Sequence, residues 1–147
     1  MHTQTNYMNY DYLHACVRLH FAGGQMEVRA PSLNSYLNGL CQQAGSCLKT
    51  ARQVYTGRMG QRKYIPVLVQ LQPPLLFLPS TSVKTDSLCY INFARIAAME
   101  EDKEKNRCII TFVDGLQLKT ENYRRMERNY LNAEWYLARL YSSQSSQ

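Results

Sequence analysis

Short strand-like segments, each ended by a glycine or proline turn, constrain the fold of this chain more than any other feature. Residues from Tyr10 to Phe21 alternate with a period of two, and from Leu13 onward one side of the alternation is apolar, as in a half-buried strand. The longest nearly apolar stretch, Val67 to Leu78, is interrupted by Pro73-Pro74, and proline cannot donate a hydrogen bond within a sheet. The strands predicted by these patterns are Tyr10 to Phe21, Gln25 to Arg29, Tyr64 to Leu71, Leu75 to Leu78, Leu88 to Ile96, Arg107 to Val113 and Leu116 to Lys119. Because two-residue turns such as Asp114-Gly115 join antiparallel neighbours, we expect a mainly antiparallel sheet.

Three further segments have the spacing of amphipathic helices, with apolar residues three and four positions apart. Gly45 is placed to end the first helix, Ser46 to cap the second and Thr120 to cap the third. The apolar stripes are Leu33, Tyr36, Leu37, Leu40 and Cys41, then Cys47, Leu48, Ala51, Val54 and Tyr55, and finally Tyr123, Met126, Tyr130, Ala133, Leu137 and Tyr141. The predicted fold class is therefore α+β, with a mainly antiparallel β-sheet and about three helices in a single domain of residues 1–141. Residues 142–147 are all Ser or Gln, which predicts a disordered tail.

The composition argues against several classes of protein. No stretch approaches the roughly 20 apolar residues that cross a bilayer, and the first residues lack the basic and apolar parts of a secretory signal, so we expect a cytoplasmic protein without a membrane partner. The five cysteines are scattered and include no Cys-x-x-Cys, which favours reduced thiols over disulfides or zinc. The usual hydrolase, metalloprotease and nucleotide-binding motifs are missing. The sequence therefore predicts no enzyme, no metal site and no cofactor.

Positive charge is concentrated in one part of the chain. From Val28 to Thr85 the sequence contains no Asp or Glu, whereas it contains seven lysines and arginines, which account for the whole net charge of +6. An acid-free basic segment suits a polyanion such as nucleic acid, because each neutralised phosphate releases counterions. On charge alone, a solvated basic face without a partner and an anionic membrane surface remain open.

Two groups of basic residues are candidate contacts for such a polyanion. The first lies on the second predicted helix and the loop after it, and the second lies on the last helix. The candidate DNA-binding residues are Lys49, Arg52, Arg58, Arg62, Lys63, Arg124, Arg125 and Arg128. A solvated face explains the first group equally well, and Glu121 and Glu127 lie close enough in sequence to pair with part of the second.

Gly57 and Gly60 surround Arg58 and suggest a second kind of interface. Glycines let a backbone approach a phosphate closely, and the same Gly-x-x-Gly spacing occurs in the loop by which KH domains clamp RNA. A plain helix-ending turn, with Gly57 as its left-handed residue, is the alternative.

Read in order, several short motifs resemble the ComK family of competence transcription factors, over roughly residues 44 to 140. They are Ser46-Cys47, Tyr55-Thr56-Gly57-Arg58, Pro73-Pro74, Phe77-Leu78-Pro79-Ser80-Thr81-Ser82, Cys89-Tyr90-Ile91-Asn92, Val113-Asp114-Gly115 and Trp135. The resemblance implies an activator that binds paired A/T-rich boxes of duplex DNA upstream of DNA-uptake genes, largely through the minor groove. It also implies a homodimer or higher oligomer that helps RNA polymerase engage.

The resemblance also assigns roles to particular residues. Arg58 matches the family's Gly-Arg position and is the first expected DNA contact, with Arg52, Arg62 and Lys63 on phosphates. The segment between Pro74 and Phe77 and the C-terminal end are shorter than in longer members, in which that end is tied to proteolysis through a protease adaptor. Two other functions therefore stay open: an RNA-binding module that uses the Gly-x-x-Gly loop, and a regulatory interaction protein without DNA binding.

Overall fold

The computed structural model describes residues 2–80 and 88–145, and it confirms the predicted α+β class. In these residues, nine strands form two antiparallel sheets beside three α-helices. The strands are β1 (Tyr7–Asp11), β2 (Cys16–Phe21), β3 (Gly24–Arg29), β4 (Val67–Gln70), β5 (Leu75–Pro79), β6 (Cys89–Asn92), β7 (Ile96–Asp102), β8 (Arg107–Phe112) and β9 (Gln117–Glu121). The helices are α1 (Leu33–Gln43), α2 (Leu48–Met59) and α3 (Tyr123–Ser145).

The larger sheet separates two hydrophobic cores. Its six strands have the order β3-β2-β1-β6-β5-β4, and the second sheet has the order β7-β8-β9. The first core joins the larger sheet to α1 and the start of α2, and the second joins the same sheet to α3, to β8 and to Tyr55 of α2. In the interior strand β5, Phe77 enters the first core and Leu78 enters the second. Burial on both faces explains why β5 is a continuous apolar run rather than an alternating one.

The N-terminal strand predicted from Tyr10 to Phe21 is wrong, because β1 and β2 form a hairpin with a turn at residues 12–15. The carboxylate of Asp11 accepts hydrogen bonds from the backbone amides of Leu13 (3.0 Å) and His14 (3.2 Å). An Asp side chain that bonds its own backbone two or three residues later favours a turn. The alternating pattern continues through this turn by coincidence, and Leu13 is exposed.

A second correction concerns the segment after β6, which was predicted to extend to Ile96 as one strand. The strand ends at Asn92, whose side chain accepts a hydrogen bond from the amide of Ala94 (3.2 Å) and caps a short 3-10 helix at Phe93–Arg95. The chain then enters the other sheet as β7. This strand continues to Asp102, beyond Ile96, at which the predicted strand ended.

The ends of α2 and α3 also differ from the sequence interpretation. Cys47, not Ser46, caps α2, and Gly57 lies inside that helix, which ends at Gly60. Thr120 belongs to β9, and the side chain of Asn122 accepts a hydrogen bond from the amide of Arg125 (3.2 Å) in the first turn of α3. The helix continues through Ser145 and therefore includes residues 142–145 of the Ser/Gln tail.

Candidate nucleic-acid interface

A groove of about 460 Å³ lies between the loop after α2 and one face of α3. The loop begins at Gly60, whose left-handed backbone (φ +70°) ends α2 and turns the chain toward α3. The residues that line the groove are Gly60, Gln61, Arg62, Lys63, Tyr64, Arg125, Arg128, Asn129 and Asn132. Two basic residues from each of the predicted groups therefore meet here: Arg62 and Lys63 with Arg125 and Arg128.

Two amide side chains hold the loop against the helix. The amide nitrogen of Gln61 lies within hydrogen-bonding distance of three oxygens: the carbonyls of Lys63 (2.9 Å) and Tyr64 (2.8 Å) and the side-chain oxygen of Asn129 (2.9 Å). Asn129, which is only 3% exposed, donates its own amide to the Tyr64 carbonyl (3.1 Å). Since all of these acceptors face one nitrogen, the orientation of the Gln61 amide follows from its surroundings. We call Gln61 and Asn129 the amide clamp.

Tyr64 links the clamp to the charged wall of the groove. Its backbone is left-handed (φ +52°), which is uncommon for a bulky residue. The two hydrogen bonds to its carbonyl stabilise that backbone conformation. The guanidinium of Arg125 lies over this ring, 5.0 Å from its centre. This cation–π contact fixes the Arg125 head group at the groove wall.

The positive charge of the groove is not paired with carboxylates in the described part of the chain. Among the described residues, no carboxylate forms an ion pair with Arg62, Lys63, Arg125 or Arg128. The recorded ion pairs are made elsewhere, by Asp11 with His14 and Arg18, by Glu27 with Arg18, and by Asp114 with Arg95. Glu127, suspected from sequence of pairing with these arginines, instead accepts a hydrogen bond from the Tyr123 hydroxyl. Four uncompensated cations in one groove create a local positive potential.

The other four candidate residues lie outside the groove lining. Arg58 is exposed on the last turn of α2. Burial raises the pKa of Tyr136, and the positive charge of Arg58 lowers it in part, so Arg58 lies close to Tyr136 of α3. Arg124 is exposed on α3. Lys49 is exposed at the other end of α2, about 15 Å from Met59 along the helix axis.

Arg52 is the candidate whose guanidinium already has protein partners. It donates to the hydroxyl of Tyr90 (2.7 Å) and to the side-chain oxygen of Asn34 (3.2 Å). These bonds tie α2 to α1 and to β6, so Arg52 contributes to helix packing. Lys84, which also belongs to the acid-free segment, lies outside the described residues.

Sequence reasoning missed the polar residues that shape the groove. Tyr64 was assigned to a strand, and Gln61, Asn129 and Asn132 were not considered. One signal was available, because Asn129 lies between Met126 and Ala133 on the apolar stripe of α3. A polar residue on a buried stripe needs a hydrogen-bond partner, and here that partner is the loop.

The Gly57-x-x-Gly60 segment is not a glycine loop in the structure. Gly57 is helical and exposed on α2, and Gly60 is its left-handed C-cap, with its amide donating to the carbonyl of Thr56 (2.8 Å). The segment is therefore a helix end, and the two glycines do not frame a phosphate-binding loop of the KH type.

A family model described as "ComK protein" matches residues 25–145 of the 147-residue chain. The chain belongs to the ComK family. Comparisons with curated proteins and with solved structures each returned no significant match. The matched residues include α1, α2, α3 and all four cations of the groove, and they begin earlier than the resemblance seen in the sequence.

Membership of the ComK family gives the general class of the protein. The family consists of competence-type transcription factors and not of enzymes. In the part of the chain that the structure describes, no helix is both long and apolar enough to cross a membrane. The same residues contain no group of three or more His, Cys, Asp or Glu side chains that could hold a metal ion.

Proposed function

We propose that this ComK family member is a cytoplasmic activator of DNA-uptake genes that binds A/T-rich boxes of duplex DNA through the groove between residues 60–64 and α3. The observation that carries the proposal is the convergence of Arg62, Lys63, Arg125 and Arg128, none of which is ion-paired with a carboxylate of residues 2–80 or 88–145. Counterion release favours contact between such a surface and the phosphate backbone.

The polar lining of the groove supports a preference for the minor groove. Proteins that bind the minor groove use Arg, Lys, Asn and Gln to distinguish A·T from G·C pairs and to sense groove width. Narrow A-tract minor grooves attract arginine in particular. Arg125, held over Tyr64, is preorganised for such insertion, and Asn132 lies on the same wall of the groove. Arg58 and Arg124, both exposed near this surface, extend the proposed contact to neighbouring phosphates.

The proposed assembly contains further partners that follow from the family resemblance. We propose that the protein binds paired boxes as a homodimer or higher oligomer and helps RNA polymerase engage. Turnover through a protease adaptor is part of the same proposal, and its test is the lifetime of the protein with and without the adaptor.

The direct experiment measures binding to an A/T-box duplex and to a G/C-rich duplex of equal length across a salt series. We expect tighter binding to the A/T duplex, with log K falling by about 0.9 per neutralised phosphate for each tenfold rise in salt. Equal and weak affinity for both duplexes would contradict the proposal. Tighter binding of single-stranded RNA in competition would favour the RNA-binding alternative.

Variants that each remove one positive charge test whether DNA contacts the groove. Arg62→Ala and Arg128→Ala should each weaken binding and reduce the salt slope by about 0.9. Arg29→Ala is the matched control, because Arg29 is exposed on β3 at the opposite edge of the six-stranded sheet from β4, about 24 Å away. Arg58→Ala tests the residue that the resemblance favours. If none of these variants changes DNA affinity or promoter output, the regulatory interaction protein without DNA binding becomes the better explanation.

A further inference from the structure

A second groove, of about 270 Å³, lies on the other side of α3, against the edge strand β7. Its apolar lining is formed by Ile96, Ala97, Ala98, Met99, Tyr130 and Leu131. The small side chains of Ala97 and Ala98, at an irregularity in the β7–β8 register, leave the recess open. Leu131 is 53% exposed beside it. The volume is below that of most small-molecule sites and suits a large side chain of a peptide.

Carboxylates surround this apolar recess. Glu127 lines it, and the negative charges of Glu127 and Glu101 both contribute to the raised pKa of Tyr123, which also lines it. Glu134 contributes in the same way to the raised pKa of Tyr130, after burial. These three glutamates form no ion pair with the described residues, in a protein whose net charge is +6. Arg124 precedes Glu127 by three residues on the same helix face, so the three glutamates leave the rim with a net negative charge that is complementary to a basic partner.

Backbone hydrogen bonding is also available at this surface. Strand β7 pairs with β8 on one side only, and it is an edge of the three-stranded sheet in the described part of the chain. An edge strand accepts an extended peptide as a further strand, with pockets for alternate side chains. Acidic residues on β7 also hinder pairing with a like-charged strand, which disfavours a second copy of β7 as the occupant.

The two grooves lie on opposite faces of α3. Glu127 follows Arg125 by two residues, and this turns the side chain by about 200° around the helix axis. Leu131 and Glu134 lie within about 40° of Glu127 and Asn132 lies within about 20° of Arg125, whereas Arg128 lies between the two faces, about 60° from Arg125. A ligand in one groove therefore leaves the other groove free.

We propose that the recess between α3 and β7 is a docking site for an extended basic segment of a protein partner, which adds to the edge of β7 and inserts an apolar side chain beside Leu131. The inference goes beyond DNA binding, and in the proposed activator it would place that partner on the side of α3 away from the DNA. Lysine or arginine residues of the segment meet Glu101, Glu127 and Glu134.

The test uses the full-length chain and a fluorescein-labelled heptapeptide that alternates lysine with leucine or valine. We expect saturable binding, with little binding of peptides in which glutamate replaces lysine or serine replaces the apolar residues. Leu131→Asp should weaken binding about tenfold, and the double variant Glu101→Gln, Glu127→Gln about threefold or more. Leu13→Asp is the matched control, because Leu13 is 87% exposed in the β1–β2 turn.

Two results would overturn this proposal. One is equal binding of the lysine–serine peptide, which would indicate general attraction to negative charge. The other is a concentration-dependent dimer that Leu131→Asp abolishes, which would make a second copy the occupant. DNA affinity measured on the same variants separates the two proposals, because peptide binding is measured without DNA and the variants leave Arg62, Lys63, Arg125 and Arg128 intact.

Discussion

At the scale of single residues, the amide clamp is the feature that decides the shape of the basic groove. Gln61→Glu replaces a nitrogen that faces three oxygens with a fourth oxygen. Buried polar atoms that lose their partners destabilise a fold by about 1–3 kcal/mol. We expect that loss in urea denaturation, together with weaker binding of A/T-rich DNA. Gln53→Glu, the same change at an exposed position of α2, is the control, and equal effects of the two substitutions would contradict the role of the clamp.

A second effect of a single residue is that His20 makes the stability of the fold depend on pH. Burial, and then the charge of Arg18, lower its pKa from 6.5 to about 4, and its ring stacks on Tyr7 and bonds the side chain of Asn9 (2.6 Å). Because the folded state resists protonation, stability is complete above pH 6.5 and falls as the unfolded chain gains a proton between pH 6.5 and about 4. His20→Phe, measured by urea denaturation at several pH values, should flatten this part of the profile. His14→Gln, at a ring that is 58% exposed, should leave the loss in place, and an unchanged profile in His20→Phe would rule out His20 as its cause.

At the scale of elements, the two glycines near the end of α2 should respond oppositely to alanine. Gly57 is helical with open space around the position of a β-carbon, so Gly57→Ala should stabilise the protein by about 0.5–1 kcal/mol,. Gly60 has φ +70°, and Gly60→Ala should destabilise it by about 1 kcal/mol and displace the loop that carries Arg62. Thermal unfolding and DNA binding measure both effects. If Gly57→Ala abolished nucleic-acid binding at unchanged stability, Gly57 would belong to a binding loop after all.

The elements also show what the sequence could and could not predict. The spacing of apolar residues was enough to predict the helices and most strands, because this spacing directly reflects which side of an element is buried. It failed where a side chain overrides the pattern, as Asp11 does in the β1–β2 turn and Asn92 does at the end of β6. The basic residues of the groove were predicted individually from charge. These residues meet because the clamp joins Gln61 to Asn129, 68 positions apart. Spacing along the chain contains no information about that long-range contact.

At the scale of the whole molecule, charge is separated across α3. The central segment supplies positive residues to one side of this helix, while the carboxylates of β7 and α3 surround the other side. Among the described residues, no ion pair joins the cations of the first groove to the carboxylates beside the second. The charge distribution therefore favours a molecule that joins two partners of opposite charge.

The two cores share the six-stranded sheet, so we expect them to behave as one folding unit. The turn at Asp114 connects the two sheets, because its carboxylate accepts hydrogen bonds from Asn6 (2.8 Å) and Arg95 (3.1 Å), and Tyr7 stacks on Phe112. Trp135 is the single tryptophan and lies half exposed on α3, so its fluorescence reports the surroundings of that helix, whereas far-ultraviolet circular dichroism reports the helices and sheets of the whole molecule. We expect coincident urea transitions from the two signals. Asp114→Ala should shift both together by about 1 kcal/mol, and an earlier tryptophan transition would show instead that the α3 layer unfolds independently of the six-stranded sheet.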